Sequence, residues 1–284
     1  MASSERIFQL LQTEVTIEDP DQGVDLPVPS SRLGSVEFEG VWFAYQGEDW
    51  VVRDLSFKVE PGERVAFVGA TGAGKTTVIN LLSRFYEVTR GRVLVNGVDV
   101  RLIPQGELRA RVATVLQDVF LFSGSVSDNV SLGREDVGSA EVERAARAVK
   151  AHEFIERLPQ GYGTELRERG SNLSAGQRQL LSFARALAHG AEILVLDEAT
   201  SSIDSETEAM IQRGIHALME GRTAIAIAHR LSTIRDVDRI YVLHKGELVE
   251  SGTHEDLIAL GGSYQRLYSL QAELQLADVE SAPG

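Results

Sequence analysis

The chain contains no cysteine, so a disulfide framework and thiol chemistry are both excluded. It has no apolar run near the roughly 18 residues that a membrane span needs. The opening Met1-Ala-Ser-Ser-Glu-Arg6 lacks the apolar stretch of a signal peptide. Basic residues are in deficit, 28 against 42 acidic ones, giving a net charge of −14. That deficit argues against passive binding to nucleic acid or to an anionic membrane surface, because phosphates repel such a protein. What is present is ordinary for a globular chain: 43% hydrophobic and 25% charged residues over 284 positions exclude disorder or coiled coil for the bulk.

The acid is unevenly placed. Residues 1–35 hold Glu5, Glu14, Glu18, Asp19, Asp21 and Asp25 against Arg6 and Arg32, and residues 271–284 hold Glu273, Asp278 and Glu280 against no base. Half of the net charge therefore lies at the ends. Residues 4–12 have Ile7, Leu10 and Leu11 at helical spacing, and residues 18–34 lose periodicity and collect Pro20, Pro27 and Pro29. The expected division is a linker over 1–34, a folded body over 35–270 and an acidic tail over 271–284.

Within the body, Val36, Phe38, Val41, Phe43 and Val51, Leu55, Phe57, Val59 alternate as strands, so an antiparallel β lobe is expected first. Val65–Val68 is an apolar strand that runs into a glycine-rich loop, with Val78, Leu81, Leu82 and Phe85 at helical spacing beyond it. Between about 119 and 190 the signals are almost all helical, including Glu143 and Arg147 one turn apart. Short uninterrupted apolar runs return at 193–196, 224–228 and 240–243, as expected of strands covered on both faces. The expected fold is α/β: a mainly parallel sheet of the phosphate-loop NTPase kind, an antiparallel β lobe and an inserted helical subdomain.

Gly69-Ala-Thr-Gly-Ala-Gly-Lys-Thr76 fits G-x-x-x-x-G-K-[ST] between a strand and a helix. Successive N–H groups must turn inward around phosphate oxygens, and glycine permits the angles this requires. The helix that follows points its positive end at the same anions. The spacing assigns Lys75 to the β and γ phosphates and Thr76 to Mg²⁺. Asp197 ends an apolar strand, where a carboxylate overhangs the ligand crevice and can hold Mg²⁺, and Glu198 can take a proton from an attacking water. Alone that acid pair reads equally as helix caps; with the loop it reads as a nucleotide hydrolysis site.

Ser171–Leu187 reads SNLSAGQRQLLSFARAL, which resembles the signature motif of ATP-binding cassette (ABC) ATPases, placed between the phosphate loop and Asp197 as in that family. Ser174 and Gln177 also have capping-box spacing, so a helix amino end is offered to an anion. The resemblance runs from Ser35 to about Tyr268. It implies ATP and Mg²⁺ as cofactors, with Gly69, Thr71, Gly72, Ala73, Gly74, Lys75, Thr76 and Thr77 around the phosphates. It further implies Tyr45 as the ring stacked on adenine, Gln117 at the metal and attacking water, and His229 as the switch near the γ-phosphate. Thr76, Gln117 and Asp197 form the implied metal set, and Glu198, His229 and Gln117 the catalytic one. Ser201–Asp204 resembles the loop between sites, with Asp204 at the nucleotide, and Thr164–Gly170 a contact to membrane domains.

Such domains pair head to tail, so the resemblance implies a second ABC ATPase domain, identical or not, whose Ser174, Gly176 and Gln177 face this chain's nucleotide. It also implies a membrane domain joined through the amino-terminal segment, export as the function, and a place on the cytoplasmic face of the cell membrane. The residues alone favour core for Tyr45, which shares a strand face with Val41 and Phe43, and an ordinary polar position for Gln117. Ala175, Ser202, Ile203, Leu166 and Arg167 depart from the commonest family forms. Two rivals remain: an ABC ATPase acting on nucleic acid, disfavoured by one cassette and a pI of 4.9, and a regulatory cassette that binds ATP without cutting it.

Overall fold

The computed structural model describes Phe8, Leu11, Gln12, residues 15–24, Leu26, and residues 33–116, 118–197, 205–228 and 231–281, with backbone alone at 205, 206, 231, 232 and 274–281. Most of the expected helix over 4–12 lies outside these residues, although Phe8 accepts a bond from the Gln12 amide. The chain opens with strands β1 (Val36–Ala44) and β2 (Trp50–Val59), followed by β3 (Arg64–Val68), helix α1 (Lys75–Leu82), β4 (Arg90–Val95) and β5 (Val98–Asp99). Then come α2 (Gln105–Arg111), β6 (Val112–Val115), β7 (Gly124–Ser125), α3 (Val126–Ser131), α4 (Ser139–Ala148), α5 (His152–Glu156), β8 (Glu165–Leu166) and α6 (Ala175–Ala188). The remainder is β9 (Ile193–Asp197), α7 (Ser205–Met219), β10 (Thr223–Ile227), α8 (Leu231–Arg235), β11 (Arg239–His244), β12 (Glu247–Gly252), α9 (His254–Leu260) and α10 (Ser263–Ser281).

The first sheet has the order β2-β1-β4-β5 and is antiparallel throughout. Its core face carries Val36, Phe38, Val41 and Phe43. On β2, however, the buried residue is Val52 and not Val51, because the register with β1 shifts between Val41 and Phe43 and Asp54 takes a positive φ of 44°. A one-residue shift of this kind moves the side chain to the other face.

The second sheet has the order β12-β11-β3-β10-β9-β6, parallel except for β12. Its strands alternate between two core clusters. Ala66, Val68, Leu194, Leu196, Ala224, Ala226, Ile240 and Val242 pack with the helices on one side. Val65, Phe67, Ile193, Val195, Ile225, Ile227, Tyr241 and Leu243 pack with the antiparallel sheet, α1 and α2 on the other. Both faces are thus dry, which is why these strands are uninterrupted apolar runs. Between β6 and β9 the regular elements among the described residues are helices, apart from the two-residue pair β7-β8.

Two further segments carry contacts at the ends of the body. The acidic carboxyl-terminal segment is helical through Ser281 as part of α10, and Tyr264 near its start is fully buried with its hydroxyl 2.7 Å from Nδ1 of His254. Upstream, Leu26 is buried, its N–H donates to Glu107, and the Val24 N–H donates to the Leu102 carbonyl. Arg84, itself buried, donates to the carbonyls of Glu18 (2.9 Å) and Ile103 (3.2 Å) and to Glu87 (2.9 Å). Part of the amino-terminal linker is therefore fastened to the end of α1.

A phosphate loop braced from behind

Strands β3, β10 and β9 end level with one another, with Ile227 paired to both Phe67 and Asp197. The loop 69–74 leaves the end of β3 and enters α1, whose amino cap is Gly74 in the left-handed region at φ 101°. Gly69 and Gly72 also have positive φ, 156° and 79°. Only glycine takes these angles without strain, and the loop needs them to turn its amides inward. A Cβ on Gly69 would come within 2.3 Å of the Leu243 carbonyl.

The back of the loop is held by a distant turn. The Gly246 N–H, between β11 and β12, donates to the Ala73 carbonyl at 3.2 Å, and the Gly246 carbonyl accepts from Arg53 of β2 at 2.9 Å. A Cβ on Gly246 would lie 2.3 Å from the Val51 carbonyl, which also stands 3.0 Å from where a Cβ on Gly74 would be. The sequence motif carries no sign of this brace; its signal is the Lys245-Gly246 dipeptide, an ordinary turn between two strands.

Lys75 is 6% exposed, and its ammonium donates to the carbonyls of Gly69 (2.6 Å) and Ala70 (3.1 Å). Burial pushes its pKa below the ordinary lysine value, and the charge of Asp197 partly opposes that shift. Asp197 therefore sits near enough to Lys75 for their charges to interact. Thr71, Gly72 and Thr76 are exposed, whereas Ala73 and Thr77 are buried. Thr76 stands in the first turn of α1 with an accessible hydroxyl; with Asp197 it gives the hard oxygen donors that suit Mg²⁺. Tyr45 lies just past β1 and is 47% exposed, so it is not a core residue. Its hydroxyl lies 3.1 Å from Oγ1 of Thr77.

The anticipated capping box is present at α6. Ser174 accepts from the Gln177 N–H at 3.2 Å, and the Gln177 side chain accepts from the Ser174 N–H at 3.0 Å. Gly176 is buried one residue inside the helix, and a Cβ there would meet Thr207 at 2.5 Å and Met210 at 2.8 Å of α7. No hydrogen bond among the described residues joins this helix end to the loop 69–74 of the same chain. Gln117, Glu198, His229 and Asp204, with the rest of 201–204, lie outside the described residues. In sequence, Glu198 comes directly after β9 and His229 two positions after β10, strands whose last residues, Asp197 and Ile227, are paired.

Phe85 departs from its expected place on the α1 face. The helix ends at Leu82, Arg84 takes a positive φ of 52°, and Phe85 emerges 51% exposed. It lines a cavity of about 320 Å³ with Leu116, Phe120, Leu132, Arg185 and His189, between the second sheet and the helices that follow β6. Burial holds the His189 imidazole below its ordinary pKa.

Residues 52–201 match the family described as ABC transporter. The chain is 47% identical over 273 residues, 96% of its length, to the uncharacterized ABC transporter ATP-binding protein YfiC of Bacillus subtilis, covering 45% of that protein. It is 45% identical, over 94% of its length, to the fatty acid ABC transporter ATP-binding/permease protein of Mycobacterium bovis, covering 42% of it. Among solved structures it is similar to a bacterial Atm1-family ABC exporter with ATP bound, with a TM-score of 0.84, 41% identity, and coverage of 95% of this chain and 47% of that one. The chain thus spans about half the length of the relatives it matches.

Proposed function

Because the chain belongs to the ABC transporter family, as its ATP-binding half, we propose that it hydrolyses ATP to ADP and phosphate with Mg²⁺ and thereby drives export through a membrane domain. The observation that carries this reading is the braced phosphate loop at the mouth of β3, with Asp197 two strands away on the same edge. Hydrolysis of a phosphoanhydride is mostly an electrostatic problem. The loop amides and the amino end of α1 would receive the phosphate oxygens. Lys75 would exchange its bonds to Gly69 and Ala70 for the β and γ phosphates. Tyr45 would stack on the adenine, and Thr71, Gly72, Ala73, Gly74 and Thr77 would complete the cradle.

Thr76, Asp197 and Gln117 would hold Mg²⁺, which when bound neutralises phosphate charge. Glu198 deprotonates or orients the attacking water, and His229 holds it against the γ-phosphate. The second anion-binding end, Ser174 with Gly176 and Gln177, has no hydrogen bond to this chain's own loop among the described residues and suits the nucleotide of a second ABC ATPase domain paired head to tail. Asp204 lies on the segment that would face that partner. Residues 119–190 we read as an inserted helical subdomain.

No helix among the described residues is long and apolar enough to cross a membrane. The membrane domain is inferred from the relatives' length and from the ATP-binding/permease name that one of them carries. We assign to it the exposed cavity at Phe85, Leu116 and Phe120 together with the Thr164–Gly170 segment, and we read the domain as lying on the cytoplasmic face of the cell membrane.

The test is Glu198→Gln. This variant is expected to keep ATP affinity, to lose turnover by orders of magnitude, and to sediment as a dimer in ATP and a monomer without it. Turnover near that of the unmodified chain would remove Glu198 from the central role. A persistent monomer with ATP bound would assign the second site to a different chain or make self-pairing depend on the membrane domain.

A further inference from the structure

Tyr45 stands in the turn after β1, outside the ladder, so the sheet does not fix its ring. Three side chains do. The Thr77 hydroxyl meets its hydroxyl at 3.1 Å. Phe43 lies with its centroid 4.8 Å away at 85°, and Tyr86 lies 4.9 Å away at 89°. Phe43 is core and Thr77 belongs to the phosphate helix, so both have other duties. Tyr86 also touches Phe43, at 5.6 Å and 56°, but it is 43% exposed and belongs to neither core cluster. It stands on the loop after α1, where Arg84 turns the chain, and its neighbour Phe85 faces the cavity assigned above.

We infer that Tyr86 is a positioning residue for nucleobase binding: its ring holds Tyr45 in the orientation that receives the base, before any nucleotide arrives. The inference rests on the reading of Tyr45 as the adenine platform. Perpendicular ring pairs are favourable arrangements, and a ring ordered in advance does not have to be ordered at the binding step. Without Tyr86, Tyr45 keeps only Phe43 and the Thr77 hydroxyl and swings more widely. The loss then falls on ligands with a base and spares those without one.

The experiment compares ATP with inorganic tripolyphosphate, both with Mg²⁺, by calorimetry on this chain. Tyr86→Ala is expected to raise the Kd for ATP about fivefold, near 1 kcal/mol, and to leave the Kd for tripolyphosphate unchanged. Tyr86→Phe keeps the ring and should restore ATP affinity. In a Tyr45→Ala background, Tyr86→Ala should add nothing. Equal weakening of both ligands would overturn the inference, since Tyr86 would then act through the phosphate loop. Unchanged ATP affinity in Tyr86→Ala would also overturn it, as would a Tyr86→Phe variant as weak as Tyr86→Ala. Failure of the unmodified chain to bind ATP at all is a different result, which removes the proposed function and this inference with it.

Discussion

At the scale of single residues, Gly176 shows how one position serves two demands. As part of the signature it lies at a helix amino end, and as a packing residue it lets α6 and α7 approach. Gly176→Ala gains helix propensity of about 1 kcal/mol, but its Cβ would lie 2.5 Å from Thr207, a branched side chain with little freedom to yield. Overpacking of this kind costs about 1–3 kcal/mol. A net loss of about 1 kcal/mol is expected, lowering the thermal midpoint by about 2–4 °C in a chain of this size, as differential scanning calorimetry would show. An unchanged midpoint would mean that α7 moves aside. The Ser174–Gln177 box, by contrast, was legible outright, because its two partners are three residues apart and need nothing from the rest of the chain.

At the scale of elements, legibility followed the range of the cause. The strands of the parallel sheet could be read from 193–196, 224–228 and 240–243 because burial on both faces leaves a continuous apolar run. The end of α1 could not: Phe85 has the right spacing, yet the left-handed turn at Arg84 is set by bonds to Ile103 and to Glu18, remote in sequence. The bond to Glu18 also ties down residues 15–24, whose Pro20 and acids look like a free linker until the residues they dock on are known. Arg84→Ala leaves the buried Ile103 carbonyl without this donor and breaks the tie to Glu18, an expected cost of about 2–3 kcal/mol. Limited proteolysis should then cut within 15–26 faster than in the unmodified chain. Equal cutting rates would show that the bonds at Leu26 and Val24, with those of Gln105 to Ile17 and Asp19, hold the segment without Arg84.

For the whole molecule, a net charge of −14 is compatible with an anionic ligand because the phosphate loop recruits amides, a helix end and Lys75, without any need for a basic surface. Some of the acid instead secures the sheet. Asp238 accepts two bonds from the Arg64 guanidinium and one from the Arg64 N–H, which tie β11 to β3 and hold its carboxyl below the ordinary aspartate value. A carboxylate depressed in the folded state stabilises above its unfolded pKa, and that contribution is lost as pH falls through the folded value. Asp238→Asn should therefore be less stable than the unmodified chain at pH 7. In urea titrations the difference should shrink below about pH 4 and close in stronger acid. A gap that stays constant with pH would place the effect in packing.

The turn at Gly246 bears on what counts as the unit of inheritance for this site. The phosphate loop keeps its shape because the Gly246 N–H holds the Ala73 carbonyl while its own carbonyl accepts from Arg53, so three separate stretches of chain must arrive together. Transplanting residues 69–76 into another scaffold would carry over the letters of the motif without the walls that shape it. The smallest portable form of this candidate site includes both sheets.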